Sequence, residues 1–491
     1  MPQPFIRADI WTLAEDDPIV TAYAGAVAAM QAKDPDDPAG WAYQAAIHGT
    51  HSASPLAQWN QCRHGSWYFV SWHRMFLYYF ERIVRAQAVA NGGPGTWALP
   101  YWNYDGGGDH NTLPLAFRNP ARADGSANPL YVAQRNPGIN SGAGLPSSIT
   151  SPAFALGRPA FTGASEFGGG ITSASGQFWS QTGRLEQTPH NDVHVAVGGL
   201  MGDPDTAAQD PIFWLHHANI DRLWWLWQEQ KHDNPSDARW TGRSFGFMDA
   251  GSVPASLTNA GVEDTASQLD YTYDHVVSQL LSPLMREEQV PVNWPQPWPE
   301  RSEIAPGPDA GPGAGQELLR QLVGATEQPV RLVGETARVP VAIDERVTES
   351  LRTDARGAGH QHRAFLDVED IEAERNPGTV YGVYVNLPDP PTDEDLAAHH
   401  VGNVSLFGVE RARNPRGDEH AHGLRVSMEI TELLDRLAAE GKWQDGRRLD
   451  VTLRPIALEP PAGRAGLARE VAATAHPDRP VTIGRLSVHF A

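Results

Sequence analysis

The feature that most narrows what this chain can fold into is the run His190–Arg222, HNDVHVAVGGLMGDPDTAAQDPIFWLHHANIDR. His190 and His194 stand four residues apart, a spacing that places two side chains on one face of a helix. A loop of Gly, Asp and Pro follows, then the aromatic stretch PIFWLHHANIDRLWWLW. Asp210 suits the cap of that second helix and Pro211 its first turn. Within it Phe213, His217 and Asp221 recur every four residues and share a face. The run is not decisive alone. A buried His in an apolar helix is ordinarily a hydrogen-bonded core residue. With 19 His in 491 residues, chance gives roughly 0.7 pairs spaced like His190 and His194. A zinc-protease helix is excluded, because that chemistry needs HExxH and position 191 is Asn.

A second, independent cluster lies upstream. WAYQAAIHGTH brings His48 to the end of a short helical pattern. CRHGSWYFVSWHRMFLYYFERIVRAQ then carries Cys62, His64 and His73 into a long apolar helix that ends near Gly92. Phe69 precedes His73 by four residues, as Phe213 precedes His217. Two helices of like pattern, each joined by upstream histidines, give three plus three: His48, His64, His73 and His190, His194, His217.

The rest of the chain is organised around these clusters. A chain of 491 residues is expected to form two or three domains. We expect residues 1–285 to be an α-helical, four-helix-bundle catalytic domain, with a first helix within 13–33 and long ordered loops over 103–180. Residues 286–330 read as a Pro/Gly-rich linker. From 331 to 491 the apolar period changes to two, with six or seven strands and one helix in ITELLDRLAAEG, which predicts a β-sandwich. A net charge of −21 argues against nucleic acid or an anionic membrane as partner. No run of 18 apolar residues predicts a transmembrane span. The single cysteine, Cys62, allows no internal disulfide. The first 20 residues show no basic start followed by an apolar core, so the expected location is cytoplasmic, with export alongside a helper protein left open.

Neutral imidazole suits Zn, Cu, Fe and Ni. Two three-His sites without carboxylate or thiolate ligands point to copper; a di-iron bundle would show Glu ligands and Glu-x-x-His pairs. Metals roughly 3.5–4 Å apart can hold one dioxygen between them. Two Cu(I) ions supply two electrons to it, a chemistry for oxidising phenols or carrying oxygen.

His48 in AAIHG, His64 and His73 in HGSWYFVSWHR, GRLEQTPHNDVH and DPIFWLHHANIDR together resemble the type-3 copper family of tyrosinases, catechol oxidases and hemocyanins. The likeness covers the first 285 residues. It implies that His48, His64 and His73 bind one copper and His190, His194 and His217 the second, with His216 the runner-up for His217. It implies a thioether between Cys62 and the ring carbon of His64; the plainer reading of Cys62 is a buried free thiol. It also implies that Glu186 and Asn191 hold a water that takes the proton of a monophenol, whose pKa near 10 otherwise keeps it protonated. A carboxylate at a helix start is the alternative for Glu186. Phe69 and Phe213 are expected to pack against the ligands. Asp221 is expected to orient an imidazole through its other nitrogen, or else to form a helix-surface ion pair beside Arg222.

VYGVYVNLPD, RVSMEITELL, RLDVTLRPIAL and VTIGRLSVHF resemble the C-terminal domain of plant polyphenol oxidases. That likeness implies a domain shielding the copper site, with a side chain in the substrate space. Phe407 in VGNVSLFGVE is the candidate; its alternative is a place in the sandwich core. His360, His362, His399, His400, His420 and His422 are expected on solvated loops, with a copper-loading surface as the less favoured reading. Together these features lead us to expect a tyrosinase-like phenol oxidase with two copper ions, O2 as co-substrate, small phenols as substrates, and a copper-loading helper protein as a candidate partner. The alternatives are oxidation of o-diphenols only, oxygen carriage of hemocyanin type, and a dinuclear zinc hydrolase.

Overall fold

The computed structural model describes residues 4–163, 165–171, 181–274, 320–344, 363–414, 423–443, 447–460 and 478–490. Its first part is helical: α1 (Pro18–Gln31), α2 (Trp41–His48), α3 (Phe69–Ala90), the single turns α4 (Ser147–Thr150) and α5 (Ala153–Leu156), α6 (Asp192–Val197), α7 (Ile212–Glu229), and the short α8 (Ala238–Thr241) and α9 (Thr265–Gln268). Local chemistry starts the main helices. Asp17 accepts from the Ile19 N–H at 2.8 Å with Pro18 at the first position of α1. Asp210 accepts from the Ile212 N–H at 3.2 Å, so α7 begins one residue after Pro211.

α3 and α7 lie side by side, with α1 against α3. Aromatic rings fill the seam: Phe80 stacks on Trp214, Phe76 tilts against Trp214 at 4.7 Å, and Trp72 meets Phe76 at 5.0 Å. Each such ring buries roughly 150–250 Å², worth about 4–6 kcal/mol of transfer free energy before entropy is subtracted. This rigid pair carries cluster histidines on both helices, His73 on α3 and His216 and His217 on α7.

The start of the chain is tied to the end of the helical region. β1 (Phe5–Arg7) pairs in parallel with β4 (Tyr271–Tyr273). It brings Arg7 into a buried ionic knot, where Arg7 bonds Glu81 at 2.7 Å and Asp221 at 3.0 Å, and Arg74 bonds Asp221 at 2.5 Å. A separate hairpin, β2 (Ser244–Met248) with β3 (Pro254–Thr258), packs near α3. No helix among the described residues is long and apolar enough to cross a membrane.

The C-terminal part corrects the sandwich expectation. Its strands are β5 (Gln321–Ala325), β6 (Val330–Leu332), β7 (Ala337–Ile343), β8 (Ala364–Ala373), β9 (Tyr381–Val385), β10 (His400–Val404), β11 (Leu424–Glu429), β12 (Arg448–Pro455) and β13 (Val481–Phe490). Among the described residues they form one nine-stranded sheet, ordered β10-β9-β12-β7-β5-β13-β8-β11 with β6 on β13, and every pairing is antiparallel. The end strands β10 and β11 approach each other, so the sheet is rolled towards a barrel. Period-two patterning shows that a strand has one buried face; it does not say which strands share hydrogen bonds. Register shifts at His400/Gly402, Leu424/Val426 and Val488/His489 give the bends that let one sheet curl. Helices α10 (Asp393–His399), α11 (Val409–Arg413) and α12 (Thr431–Ala439) complete this part, the last falling in the ITELLDRLAAEG segment.

Two further expectations change. The span read as linker already contains β5 and the first residue of β6, because QLVGA and VRL find partners on β13 and β7; residues 286–319 lie outside the described residues. His399 and His400 are not on a solvated loop: His399 is buried with Nδ1 on the Val385 carbonyl at 2.8 Å, and His400 bonds Asn403 at 2.8 Å. His360, His362, His420 and His422 lie outside the described residues.

Candidate metal centre

Four helices, one loop and one wide turn bring the cluster histidines together. His48 closes α2, His73 sits one turn into α3, and His64 comes from the loop before it. His190 lies in a wide turn, Glu186–Asn191, that leads into α6, which carries His194; His216 and His217 lie on α7. The candidate ligand atoms of His48, Cys62, His64 and His73 fall within 4.8 Å of one another, and so do those of His190, His194, His216 and His217. All these side chains are buried.

Each ring is aimed by its surroundings. The Nδ1 atoms of His48, His73 and His194 meet the carbonyls of Pro204, Phe69 and Met201, each at 2.8 Å. His190 Nδ1 meets Asn191 Oδ1 at 2.9 Å. A ring that donates from Nδ1 leaves Nε2 with a lone pair, the arrangement found in metal-bound imidazoles. Nε2 of His48 and of His190 are buried without a hydrogen-bond partner among the described residues. That is costly for a polar atom unless an ion takes the lone pair. Burial pushes the imidazoles towards the neutral form: His48 falls to about 3, and His64, His73, His190, His194 and His217 sit well below the ordinary value. The donor set, all-imidazole and neutral, fits two copper ions.

His216 and His217 differ in what they face. His217 stacks on His73 of the first cluster at 4.4 Å, and its Nε2 lies 3.2 Å from that of His194. The ring neighbours of His216 are Tyr104, His190, His194 and His217. Phe69 contacts both His73 (4.7 Å) and His190 (4.6 Å), and Phe213 contacts both His217 (4.2 Å) and His48 (4.9 Å). The two phenylalanines therefore wedge the clusters at a fixed separation.

Cys62 Sγ lies 3.4 Å from Nδ1 and 3.5 Å from Nε2 of His64, so it faces the carbon between them; it is also 3.3 Å from His73 Nε2. Glu186 is buried at the same wall. Its Oε1 accepts the Gly65 N–H at 2.7 Å and its Oε2 has no hydrogen-bond partner among the described residues. Burial raises its pKa well above the carboxylate range, against the pull of that single N–H. Asn191 holds the His190 ring, a role its sequence position does not announce.

Asp221 does not touch an imidazole. Both its oxygens are taken by Arg7, Arg74, Tyr271 and Tyr273. Burial would raise its pKa, but the charges of Arg74 and Arg7 outweigh that and lower it. The carboxylate lies a full turn beyond His217 and turns to two buried guanidiniums that have a stronger claim on it. It is also not a surface ion pair.

The C-terminal part reaches this centre. Phe407 is 1 % exposed and packs with the helical core instead of the sheet core. Its ring stands edge-on to His64 at 5.4 Å and His190 at 5.6 Å, and lies along His194. Around it, Asn403 bonds Asp192 at 2.7 Å and Ser148 at 2.6 Å, Arg411 pairs with Asp205, Asn376 bonds the Gly202 carbonyl, and Glu429 bridges to Arg158. Sequence periodicity carries no signal for these contacts, since each joins residues far apart in the chain.

Comparison with known proteins adds a finding of its own. The family model for the common central domain of tyrosinase matches residues 38–230, which include every cluster histidine, and a domain family of unknown function matches 320–491. The tyrosinase HcTyr1 of Hahella sp. (strain CCB-MM4) is 31% identical over 503 residues, covering 95% of this chain and 99% of that protein. Catechol oxidase B of Solanum tuberosum is 30% identical over 473 residues, covering 90% of this chain and 72% of the relative. A latent aurone synthase (polyphenol oxidase) structure shares the fold with a TM-score of 0.61 at 22% identity, over 100% of this chain and 90% of that one. With a likeness that runs almost end to end and the paired imidazole clusters lying inside the shared central domain, the chain belongs to the tyrosinase and polyphenol oxidase family of copper-dependent phenol oxidases.

Proposed function

We propose that the protein is a tyrosinase: it hydroxylates monophenols at the ortho carbon and oxidises o-diphenols to o-quinones. The observation that carries the reading is Glu186 beside the ligand clusters, with one carboxylate oxygen bound to the Gly65 N–H and the other without a partner among the described residues. The first copper is held by His48, His64 and His73, and the second by His190, His194 and His217, the ring that faces across to the first cluster. Bound copper supplies activation of dioxygen and its two-electron reduction. The chain's own residues do the rest. Glu186, in its ionised form beside the two bound metals, accepts the phenol's proton through a water shared with Asn191. Asn191 Oδ1 keeps the His190 ring in place. Phe69, Phe213 and the Trp-rich seam of α3 and α7 exclude water from the clusters. The four histidine-bearing helical segments α2, α3, α6 and α7 act as a four-helix frame around them.

Two features of the same site extend the reading. Cys62 Sγ, lying opposite the ring carbon of His64, would be joined to it as a thioether, with the S–H and ring C–H bonds breaking and their two electrons and two protons passing to dioxygen, and that bond would lock the imidazole on its metal. Peptide mapping of copper-loaded protein should then fail to recover an alkylatable Cys62; a free, alkylated Cys62 removes the bond from the proposal. Phe407 fills the space in which a phenol would stack, so the full chain is latent until the C-terminal part moves.

The direct test is copper-loaded protein in aerated buffer with a monophenol and, separately, a catechol, followed by quinone absorbance. Colour from both supports tyrosinase activity. Colour from the catechol alone restricts the protein to diphenol oxidation. Reversible oxygen binding without colour from either, even after cleavage within 286–330, indicates oxygen carriage.

A further inference from the structure

We propose that Arg411, on the C-terminal part, is a positioning residue for the first metal pocket: through Asp205 it holds the loop whose Pro204 carbonyl aims His48. The argument begins with His48. Among the described residues its Nδ1 has one hydrogen-bond partner, the Pro204 carbonyl at 2.8 Å, and that bond decides where Nε2 points. Pro204 lies in a tight loop between the turns Gly199–Gly202 and Ala207–Gln209. The loop presses on the end of α2 so closely that a Cβ at Gly49 would come within 2.5 Å of the Pro204 oxygen and 2.8 Å of the Asp205 Cα. The carbonyl can therefore shift only if the loop moves outward.

What resists that movement is charge. The Asp205 side chain is 6% exposed and pairs with Arg411 at 3.1 Å, itself 5% exposed; the weaker contact on its other side is His51, 3.5 Å away and 60% exposed. A carboxylate this buried is stable only while paired. Deprived of the guanidinium, it gains by swinging towards water, and the neighbouring Pro204 carbonyl goes with it. Arg411 reaches this point from α11, four residues after Phe407, and Gly408 makes the turn between them with φ +81° in the left-handed region. One short segment thus sets a ring against His194 and a guanidinium behind His48. The same charge bears on Cys62, His48 and His64.

The C-terminal part is on this view a structural support of the copper site as well as its cover. Groups that orient a metal-bound imidazole are worth about 10–100-fold in metal affinity. The experiment measures copper occupancy pocket by pocket, from anomalous scattering at the copper edge, in crystals of full-length protein grown after timed dialysis against a chelator. Wild-type crystals establish separately that both pockets hold copper. In Arg411→Met and in Asp205→Asn, the His48/His64/His73 pocket should empty at least tenfold faster than the other, and Arg411→Lys, which keeps the charge, should restore wild-type retention. Arg158→Met, which cuts a different contact between the two parts, should show no such asymmetry. Equal loss from both pockets in Arg411→Met, no loss, or the same asymmetry in Arg158→Met overturns the proposal. Should Arg411→Met fail to fold, Asp205→Asn reads the same link from the helical side.

Discussion

The ring of Phe407 lies nearly parallel to the imidazole of His194, with centroids 4.2 Å apart and planes 19° from coplanar. Under the proposed function a phenol would stack on the second pocket in that position, which would make Phe407 a direct competitor of substrate. Asn403 and Ser405 sit just before it on the chain and line, with Asn191, Gln187 and Arg425, the narrow cleft that remains beside the site.

Replacing the ring should therefore open the site without cutting the chain. Phe407→Ala in the full-length protein is expected to raise kcat/KM for a catechol by about tenfold or more, equivalent to ~1.4 kcal/mol, the scale of one aromatic stacking contact. Quinone formation reports it. Unchanged activity in this variant, alongside a rise on proteolysis of the 286–330 segment, would place the obstruction elsewhere in the C-terminal part.

The proton-accepting role proposed for Glu186 would separate two activities. Glu186→Gln combined with Asn191→Asp should lower monophenol turnover by roughly 100-fold, the usual value of a positioned general base, and leave diphenol turnover within about threefold. Equal losses on both substrates would mean that the pair acts on the copper pocket instead of on the phenol's proton.

Asp221 belongs to folding, and its variant should show that. Asp221→Asn leaves Arg7 and Arg74 buried with less countercharge, and removing one partner of such a group costs on the order of 3–5 kcal/mol. Denaturant unfolding of the apo-protein should show the loss, while copper content per folded molecule stays the same.

The bridge between the two parts makes stability depend on pH. Burial would raise the pKa of Glu429, but hydrogen bonds from Arg363 and the charge of Arg158 outweigh it and hold it at about 2, below the ordinary 4.5. A depressed carboxyl stabilises the fold fully above its unfolded value and loses that contribution as pH falls towards its folded value. With partial exposure, the amount at neutral pH is on the order of 2–3 kcal/mol. The stability gap between wild type and Glu429→Gln should shrink by more than half between about pH 7 and about pH 3. A gap independent of pH would mean that the bridge contributes through packing alone.

The parts of this molecule that were legible beforehand are those written in short-range spacing. His190 and His194 share a face because they are four apart, and Phe69 and Phe213 lie one turn before their histidines for the same reason. The start of α7 was readable from Asp210 and Pro211. Long-range partners were not. Asp221 sits on the His217 face, yet its oxygens go to Arg7 and Arg74, residues whose arrival depends on β1 and α3. Alternation marked β6 to β9 and β11 to β13 but missed β5 and β10, and it left open whether the strands formed one sheet or two. Arg411 shows no distinguishing pattern around it; only the fold reveals that it faces Asp205.

The rolled sheet has an outcome for the protein once its two parts come apart. Its terminal strands, β10 and β11, lie close to each other instead of at opposite rims. Unpaired strand edges are what recruit foreign chains into aggregates, and this body has little rim to offer. A C-terminal fragment released by cleavage should thus stay dispersed in solution, free to return to the opened enzyme and stop it again as a separate molecule.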